Sequence, residues 1–351
     1  FEFRPVQAAY TENHCSNPET YRTILRSFRE LGQFEDIIQS GRKRPAKAAL
    51  WFSETADIWG DNHGSLSAGK RTLYSAIIHQ DTPLDFVIEG DNLKNYHVLF
   101  LADAHVSGQA SEAIAEWVKA GGTLFATAGA GMFDELNRPN TLLRSLLGVT
   151  PIGLDAPASS FVGMVKQELP FALPVDEIVG EPGSTPVYGV RSRIKLVNAE
   201  LQLKFKSGSP ALTLHTQGRG QAHYAAFLPG LTYFAPGTPK VPVDRGTTAQ
   251  ASAHLIPTSF DTRIAKLLRF ANAANPVKCS EPLVEANIID SSKGSVVVLS
   301  NWSGGPVKAL EVSLPPDLAK KKITVASGAA FKIYENKVTL DLNVADALIL
   351  R

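Results

Sequence analysis

Short apolar runs alternate with helical patterns between residues 46 and 127. The predicted strands are residues 46–52, 84–88, 98–102 and 123–127. Residues 98–102 contain no polar position, as a strand covered on both faces requires. The segments 66–79 and 111–120 place their apolar side chains at helical spacing. This succession predicts right-handed crossovers and a doubly wound parallel sheet, in which the first strand lies between the second and the third.

The segment before this sheet predicts a helix and a connector. Ser16 is placed to act as an N-cap, Pro18 falls in the first turn, and Glu19 completes a capping box. Apolar residues then recur at helical spacing to about Gln39, and the basic run 41–45 leads into the sheet as a solvated connector. Because the chain opens on an apolar-rich stretch, we expect residues 1–45 to be the end of a missing upstream domain.

The pattern changes after the fourth strand. Residues 151–275 are rich in Pro and Gly, with strand-like pieces and a final helix at 261–274. Residues 281–351 alternate apolar and polar positions in six short runs, which predict a small antiparallel β-sandwich. We therefore expect an N-terminal segment at 1–45, an α/β domain at 46–276 and a sandwich at 277–351.

The amino-acid composition excludes some classes of function but does not identify one. Hydrophobic residues make up 44% of the 351 residues and charged residues 20%, which is typical of a globular chain with a packed core. The formal net charge of +1 gives no basic field for nucleic acid. No apolar run reaches the ~18 residues that a membrane-spanning helix needs. The two cysteines, Cys15 and Cys279, form neither a metal-binding spacing nor a disulfide framework, and the compartment, cytoplasmic or secreted, stays open.

Four stretches occur in an informative order. Residues 47–53 open the α/β part, 96–103 and 117–127 follow, and 297–302 lie in the sandwich. This order resembles the trimerisation domain and C-terminal sandwich of beta-galactosidases of glycoside hydrolase family forty-two, over roughly residues 46–351. The resemblance implies a non-catalytic accessory and oligomerisation region of a carbohydrate-active enzyme.

The same resemblance carries expectations about partners and chemistry. In that family a catalytic barrel precedes this region and holds both catalytic glutamates, so the resemblance carries no catalytic residue over to this chain. We also expect no cofactor and no metal here. It implies a homotrimer, an upstream barrel in the same protein, and carbohydrate as a candidate ligand. The fold class we expect is a flavodoxin-like or class I glutamine amidotransferase-like parallel sheet with added β elements, followed by the small antiparallel β-sandwich.

An amidotransferase fold needs a nucleophile at the sharp turn after a central strand. The corresponding turn here is residues 127–131, which contain neither Cys nor Ser. Cys15 and Cys279 are both far from it in sequence. We therefore expect no amidotransferase or hydrolase chemistry at this turn, and attribute its small residues to close packing of a helix on the sheet.

Polar and aromatic residues follow three of the predicted strands, where the strand ends of a parallel sheet converge on one crevice. The candidate ligand-binding residues are Glu54, Asp57, Trp59, Asp103, His105 and Asp134. In one interpretation Trp59 stacks on a sugar while the carboxylates bind hydroxyls. In the other, Asp103 and Asp134 cap helices and Glu54 meets arginine or backbone donors. A metal site from Asp103, His105 and His63 is disfavoured, because the residues lack a metal-binding spacing.

Three functions remain open from the sequence. The chain can be the accessory and oligomerising region, a sugar-binding or small-molecule-binding module, or a hydrolase that uses the acids at the strand ends. Aromatic residues in Pro/Gly-rich segments favour oligomer contacts, since loops bury few rings internally and a monomer tolerates only limited apolar patches. These aromatic residues are Phe161, Phe171, Tyr188, Tyr233 and Phe234.

Overall fold

The computed structural model describes residues 18–59, 64–156, 162–164, 167–169, 173–180, 183–235 and 263–351. These residues fall into two compact units. The α/β unit contains 46–235 and 263–274, and the sandwich unit contains 18–45 and 275–351, within the described ranges. No helix of this part of the chain is both long and apolar enough to cross a membrane.

The described helices and strands are as follows. The helices are α1 (Pro18–Gly32), α2 (Glu35–Ser40), α3 (Glu54–Ile58), α4 (Gly64–Ile78), α5 (Gly108–Lys119), α6 (Thr141–Leu147), α7 (Pro229–Phe234), α8 (Arg263–Leu267) and α9 (Pro316–Ala319). The strands of the α/β unit and of the chain before it are β1 (Arg42–Lys43), β2 (Ala48–Trp51), β3 (Leu84–Val87), β4 (Val98–Leu101), β5 (Thr123–Ala126), β6 (Val149–Asp155), β7 (Val162–Met164), β8 (Gln167–Leu169), β9 (Pro174–Val179), β10 (Thr185–Tyr188), β11 (Arg191–Leu196), β12 (Glu200–Phe205), β13 (Pro210–Gln217) and β14 (Gly220–Ala225). The remaining strands are β15 (Lys278–Cys279), β16 (Val284–Ser291), β17 (Gly294–Asn301), β18 (Val307–Ser313), β19 (Ile323–Val325), β20 (Phe331–Tyr334), β21 (Lys337–Leu342) and β22 (Ala345–Leu350).

Nine of the described strands form one mixed sheet in the α/β unit, in the order β10-β9-β12-β13-β14-β5-β4-β2-β3. Strands β3, β2, β4, β5 and β14 are mutually parallel. The predicted position of the first strand between the second and the third is confirmed, because β2 pairs with both β3 and β4. All residues of β2 and β4 are buried, as their apolar sequences require.

The other half of this sheet is antiparallel. Strand β13 returns along β14 through a turn at Gly218, and β12, β9 and β10 continue the sheet outward. Strands β6 and β11 form a separate antiparallel pair, as do β7 and β8. The unit is therefore a mixed α/β fold with added β elements.

The predicted helix at 261–274 is wrong in its length. Within the described residues it reduces to α8 and a 3-10 turn at Ala271–Ala273. The chain becomes extended at Phe270, whose ring packs edge-on against Phe100 and Phe125. Burying this ring takes precedence over continuing the helix, because a large aromatic side chain gains more from burial than a single helical turn does.

The predicted single helix to about Gln39 is also wrong. Helix α1 ends at Gly32, and α2 starts after Phe34, which has a non-helical backbone conformation. Phe34 and Ile37 are buried in a cluster with Val296 and Ile349 of the sandwich unit. The apolar side chains of α1 are instead largely exposed, namely Tyr21, Leu25, Phe28 and Leu31. The break lets two apolar faces point in different directions, which a continuous helix could not do.

The sandwich unit confirms the predicted antiparallel fold. One sheet has the order β1-β16-β17-β22-β19 and the other β15-β18-β21-β20. Sequence reasoning missed β16, although Val284, Ala286 and Ile288 alternate toward the core within it. Arg44 joins the connector to this unit through its Nε, 2.9 Å from Asp290 Oδ2.

Two of the five aromatic residues expected at an oligomer interface are buried inside the α/β unit. Tyr233 and Phe234 belong to α7 and are both buried, which corrects the idea that they sit in a loop and face a partner. Tyr188 is partly covered by the small cluster around Leu228 and Leu231. Phe161 and Phe171 lie outside the described residues.

Trp117 packs α5 on the sheet, and its substitution tests how much this packing contributes to stability. Its indole N–H donates to the Tyr96 carbonyl at 3.2 Å, and a Cβ at Gly122 would collide with its ring. We expect Trp117→Ala to lower the free energy of unfolding by ~3–5 kcal/mol, as for a large aromatic removed from a core. Tyr334→Ala, at an exposed aromatic, is the control and should change it by less than ~0.5 kcal/mol. Urea unfolding measures both, and equal effects would contradict the assignment.

His79 makes the stability of the fold depend on pH. It is buried beside Phe234 and Tyr233, and burial lowers its pKa to about 4 from the ordinary 6.5. Between these values the unfolded chain binds a proton that the folded chain excludes, so stability is complete above pH 6.5 and falls as the pH is lowered. We expect a loss of ~2 kcal/mol at pH 5 relative to pH 7 from this group.

The measurement compares urea unfolding of the wild type and His79→Gln at both pH values. Other groups titrate equally in the two proteins, so the difference between their pH slopes isolates His79. Parallel slopes would show that the imidazole is accessible to protons in the folded protein.

Candidate functional site

The candidate residues lie at the carboxyl edge of the parallel strands, where β2, β4 and β5 end. Helix α3 starts there, with Ser53 as its N-cap accepting a hydrogen bond from the Ala56 N–H at 3.2 Å. The Ser53 hydroxyl in turn donates to the His105 carbonyl at 2.7 Å. The loop after β5 folds back onto the loop after β4 through the pairing of His105 with Phe133. These contacts bring the loops after the three strands together.

Asp103 is buried at this edge and fully engaged. Its carboxylate oxygens accept hydrogen bonds from Lys70 Nζ at 2.7 and 2.9 Å, and Oδ2 also accepts the Ser53 N–H at 3.0 Å. Burial raises the pKa of Asp103, while the Lys70 ammonium and the Ser53 N–H act to lower it. The group therefore holds the N-cap of α3 in place. It is Ser53, rather than Asp103, that caps the helix.

Lys70 is a site residue that the sequence analysis missed. It reaches Asp103 from α4, and its ammonium lies 4.1 Å from the centre of the Phe52 ring. A signal was present, because Lys70 occupies the same helical stripe as Leu66, Leu73 and Ile77. A charge within an apolar stripe implies a buried partner.

His105 lies in an aromatic stack. The Trp59 ring is 5.4 Å from it at an interplanar angle of 11°, and the Phe133 ring is 5.1 Å away on stacking geometry. The Trp59 indole N–H donates to the Glu135 carbonyl at 3.1 Å, and His105 Nε2 lies 3.0 Å from Asn137 Oδ1. His105 is buried, whereas Trp59 keeps 47% of its surface exposed. Of this stack, Trp59 is the part that a ligand or partner can reach.

Asp134 closes the loop after β5. Its Oδ1 accepts the Leu136 and Arg138 N–H groups at 2.9 and 2.8 Å, so it stabilises a turn and caps no helix. The next residue, Glu135, accepts the Gly108 N–H at 2.8 Å at the start of α5. Both acids therefore have structural partners.

Glu54 and Asp57 are the remaining candidates. Both lie in the first turn of α3, where a negative charge interacts favourably with the helix dipole. Glu54 is exposed and Asp57 is half-buried. With Trp59 they form the accessible part of the predicted site, next to its buried part, since Trp59 stacks on His105 and the Asp57 charge acts to raise the pKa of Asp103.

Two residues that no sequence pattern indicates hold the turn at residues 127–131 in place. Gly129 has a φ of +82°, and its N–H lies 3.0 Å from Ser192 Oγ and 3.2 Å from the Tyr224 hydroxyl. Tyr224 donates its own hydroxyl proton to Ser192 Oγ at 2.7 Å. Both side chains are buried, so the Gly129 amide is engaged inside the fold.

The described residues contain no group of three or more His, Cys, Asp and Glu side chains placed to hold a metal ion. His63, considered above as a ligand, lies outside them. The carboxyl edge thus offers an exposed aromatic ring and surface acids.

A groove lies at the opposite, amino edge of the parallel strands. Its volume is about 730 Å³, and its walls include Tyr96, Trp117, Glu116 and Asn272. None of the six candidate residues lines it.

Comparison with known proteins gives a family match over most of the α/β unit. Residues 49–235 match the family described as beta-galactosidase trimerisation domain. Beta-galactosidase Pbg of Clostridium perfringens is 26% identical over 237 residues, which are 61% of this chain and 33% of that protein. The chain thus spans about a third of this curated relative.

Two solved structures share the fold. The beta-galactosidase from Bacillus circulans sp. alkalophilus matches with a TM-score of 0.63 at 18% identity, over 92% of this chain and 44% of that one. Alpha-L-fucosidase isoenzyme 2 from Paenibacillus thiaminolyticus matches with a TM-score of 0.59 at 16% identity, over 95% of this chain and 53% of that one. At these identities the likeness is one of fold.

The ion pair between Lys70 and Asp103 can be tested by comparing the stability lost when one partner is removed with that lost when both charges are removed. Lys70→Met leaves the Asp103 carboxylate buried without a counter-charge, and we expect it to lower the free energy of unfolding by ~3–5 kcal/mol. The double variant Lys70→Met/Asp103→Asn removes the charge but keeps an acceptor for the Ser53 N–H, so it should lose less than Lys70→Met alone.

The matched control is Lys206→Met, which breaks an exposed ion pair 3.3 Å from Glu177. It should cost no more than ~1 kcal/mol. Urea unfolding of the four proteins provides the comparison, and a Lys70→Met effect as small as the control would disprove the role given to this pair.

Proposed function

The chain belongs to the beta-galactosidase trimerisation domain family, and on this premise we propose that it serves as the assembly region of a longer glycoside hydrolase. In this proposal the region is joined to a catalytic barrel of the same protein and associates with other copies as a homotrimer. The family match over residues 49–235, which coincides with most of the α/β unit, is the observation that carries the proposal.

The geometry of the carboxyl edge supports a non-catalytic role. Asp103 is neutralised by Lys70, and Asp134 is bound to backbone N–H groups of its own loop. The Gly129 amide at the turn that carries the nucleophile in amidotransferases faces Ser192 and Tyr224. A hydrolase that used Asp103 or Asp134 would first have to break these contacts, which argues against these two acids as catalytic groups.

The finer fold assignment is also part of the proposal. Numbered along the chain, the five parallel strands lie in the order second, first, third, fourth, fifth. This is the order of flavodoxin-like sheets, and it supports grouping the α/β unit with the flavodoxin-like and amidotransferase-like folds.

Helix α1 supports attachment to an upstream domain. Its apolar side chains Tyr21, Leu25, Phe28 and Leu31 recur at helical spacing and are each about half exposed. An amphipathic helix of this kind gains most of its stability from a surface that covers its apolar face. We propose that residues 1–45 form the exit from the catalytic barrel and that the barrel provides this surface.

A carbohydrate site at the carboxyl edge remains a prediction. Trp59, with Glu54 and Asp57 nearby in sequence, keeps the exposed ring and acids that a sugar would contact. Asp103, His105 and Asp134 are held by protein partners and would not take part. Because the matched folds include a beta-galactosidase and an alpha-L-fucosidase, we infer no particular sugar from this region.

Association can be measured directly. At micromolar concentration we expect light scattering to give three times the chain mass of 37.8 kDa. A stable contact of this kind buries at least ~1,000 Å². A monomer or a two-fold dimer over the same concentration range would contradict the proposed homotrimer.

A further inference from the structure

The groove at the amino edge of the parallel strands is large enough for a small molecule, and we call it the amino-edge groove. One wall is the segment 91–97, which contains a 3-10 turn at Leu93–Asn95 and leads into β4. The other wall is the part of α5 from Ala113 onward, with the Gly121-Gly122 turn that follows it. The volume of about 730 Å³ falls within the ~300–1,000 Å³ that is typical of ligand pockets.

Hydrogen bonds tie the walls of the amino-edge groove together. The Trp117 indole N–H on α5 donates to the Tyr96 carbonyl on the facing segment at 3.2 Å. The Trp117 ring also packs on Gly122, where a Cβ would lie 2.4 Å from it. His97 Nδ1 lies 2.7 Å from the Asn272 carbonyl oxygen, which can only accept, so Nδ1 carries the proton and donates it. Walls that are fixed in advance lose little conformational entropy when a ligand binds.

The amino-edge groove is apolar at depth and polar at its rim. Among its lining residues Leu93 and Trp117 are buried and Tyr96 is half-buried. The polar lining residues are all exposed, namely Asp91, Asn92, Lys94, His97, Glu116 and Asn272. Amide and ammonium groups at this rim donate hydrogen bonds, and the two carboxylates accept them. A neutral His97 adds Nε2 as a further acceptor, because its Nδ1 is the donor.

Charges of the two signs are balanced around the amino-edge groove. Within its lining Asp91 and Glu116 are acidic, and Lys94 is basic. Further described charged residues adjoin the lining residues in sequence or are hydrogen-bonded to them, namely Asp85, Glu112, Lys47, Lys119 and Arg219. Acids and bases are thus equally represented in this set. A charged ligand would lose hydration without meeting a surplus of opposite charge, and a neutral ligand avoids this cost.

We propose that the amino-edge groove binds a neutral, hydroxyl-rich ring of the size of a mono- or disaccharide. The C–H groups on one face of such a ring pack against Tyr96 and Trp117, as apolar ligand surface does in a pocket. Its hydroxyls bond to the rim, because a hydroxyl both donates and accepts. The site lies at the opposite edge of the strands from Trp59, and it does not depend on the proposed assembly role.

The test uses saturation-transfer NMR on the full chain with glucose, galactose and lactose as probes. Glucuronate and glucosamine are the comparators, because they resemble glucose but carry a negative and a positive charge. We expect the neutral sugars to bind with dissociation constants on the order of 1–10 mM, with the strongest saturation on ring protons of one face. No transfer to any of the three neutral sugars would overturn the proposal. So would a charged sugar that binds at least about tenfold more tightly than glucose.

Ala113→Phe tests whether the bound sugar is in the amino-edge groove. Ala113 is exposed on α5 and lines the groove, so a phenyl ring there fills part of its volume. Gln109→Phe is the matched control, at an exposed position of the same helix outside the lining. We expect saturation transfer to be lost in the first variant and kept in the second, and both to unfold in urea at the wild-type midpoint. A signal that is kept in Ala113→Phe and lost in Trp59→Ala would overturn this site and place the sugar at the carboxyl edge.

A second pair of variants tests the rim without adding bulk. Glu116→Gln keeps the shape of the side chain but removes the carboxylate, and hydrogen bonds to a carboxylate are roughly twice as strong as neutral ones. We expect it to raise the dissociation constant at least about threefold. Glu112→Gln, one helical turn earlier and outside the lining, should leave the constant unchanged. Equal effects of the two variants would contradict the contact with Glu116. Light scattering measures the homotrimer separately, so a failure of the sugar site leaves that proposal standing.

Discussion

The central strands of the α/β unit are covered on both faces, and this constraint decides where its charged groups can lie. Every residue of β2 and β4 is buried, so a charge within them would be far from water. Charged and polar side chains come after the strand ends instead, and gather at one edge because the strands are parallel. Asp103 enters the interior there together with Lys70, and the pair in turn fixes Ser53 and the start of α3.

This constraint explains which features could be predicted from the sequence. Uniformly apolar runs indicate strands buried on both sides, and their alternation with helices determines how those strands are ordered. The positions of Asp103 and Asp134 at strand ends follow for the same reason. Their partners do not, because a hydrogen bond between residues far apart in sequence leaves no periodic trace. Ser192 and Tyr224 converge on Gly129 from separate strands, and nothing in the sequence near either one indicates it.

Apolar patterns predict that a side chain is buried, but they do not identify the residues that pack against it. Tyr233 and Phe234 read as loop aromatics and are buried within their own unit. The sequence predicts Trp59 as a sugar contact and assigns no role to Ile58. Both side chains are nevertheless more exposed than those of Tyr233 and Phe234. Helix α1 and α2 show the same ambiguity, since one apolar pattern divides between an exposed face and a packed one. The spacing of apolar residues alone does not distinguish these cases, because it records that a side chain is apolar and not where its packing partners lie.

The closed turn at Gly129 also bears on how this lineage can evolve. Placing a cysteine in the turn would supply a nucleophile, but the nearby amide would still donate to Ser192 and Tyr224. Freeing that amide requires changing a buried hydroxyl, and each unsatisfied partner left behind costs ~1–3 kcal/mol. A substitution that frees this amide therefore loses stability, whereas a cysteine placed in the turn on its own leaves the amide bound to its present partners.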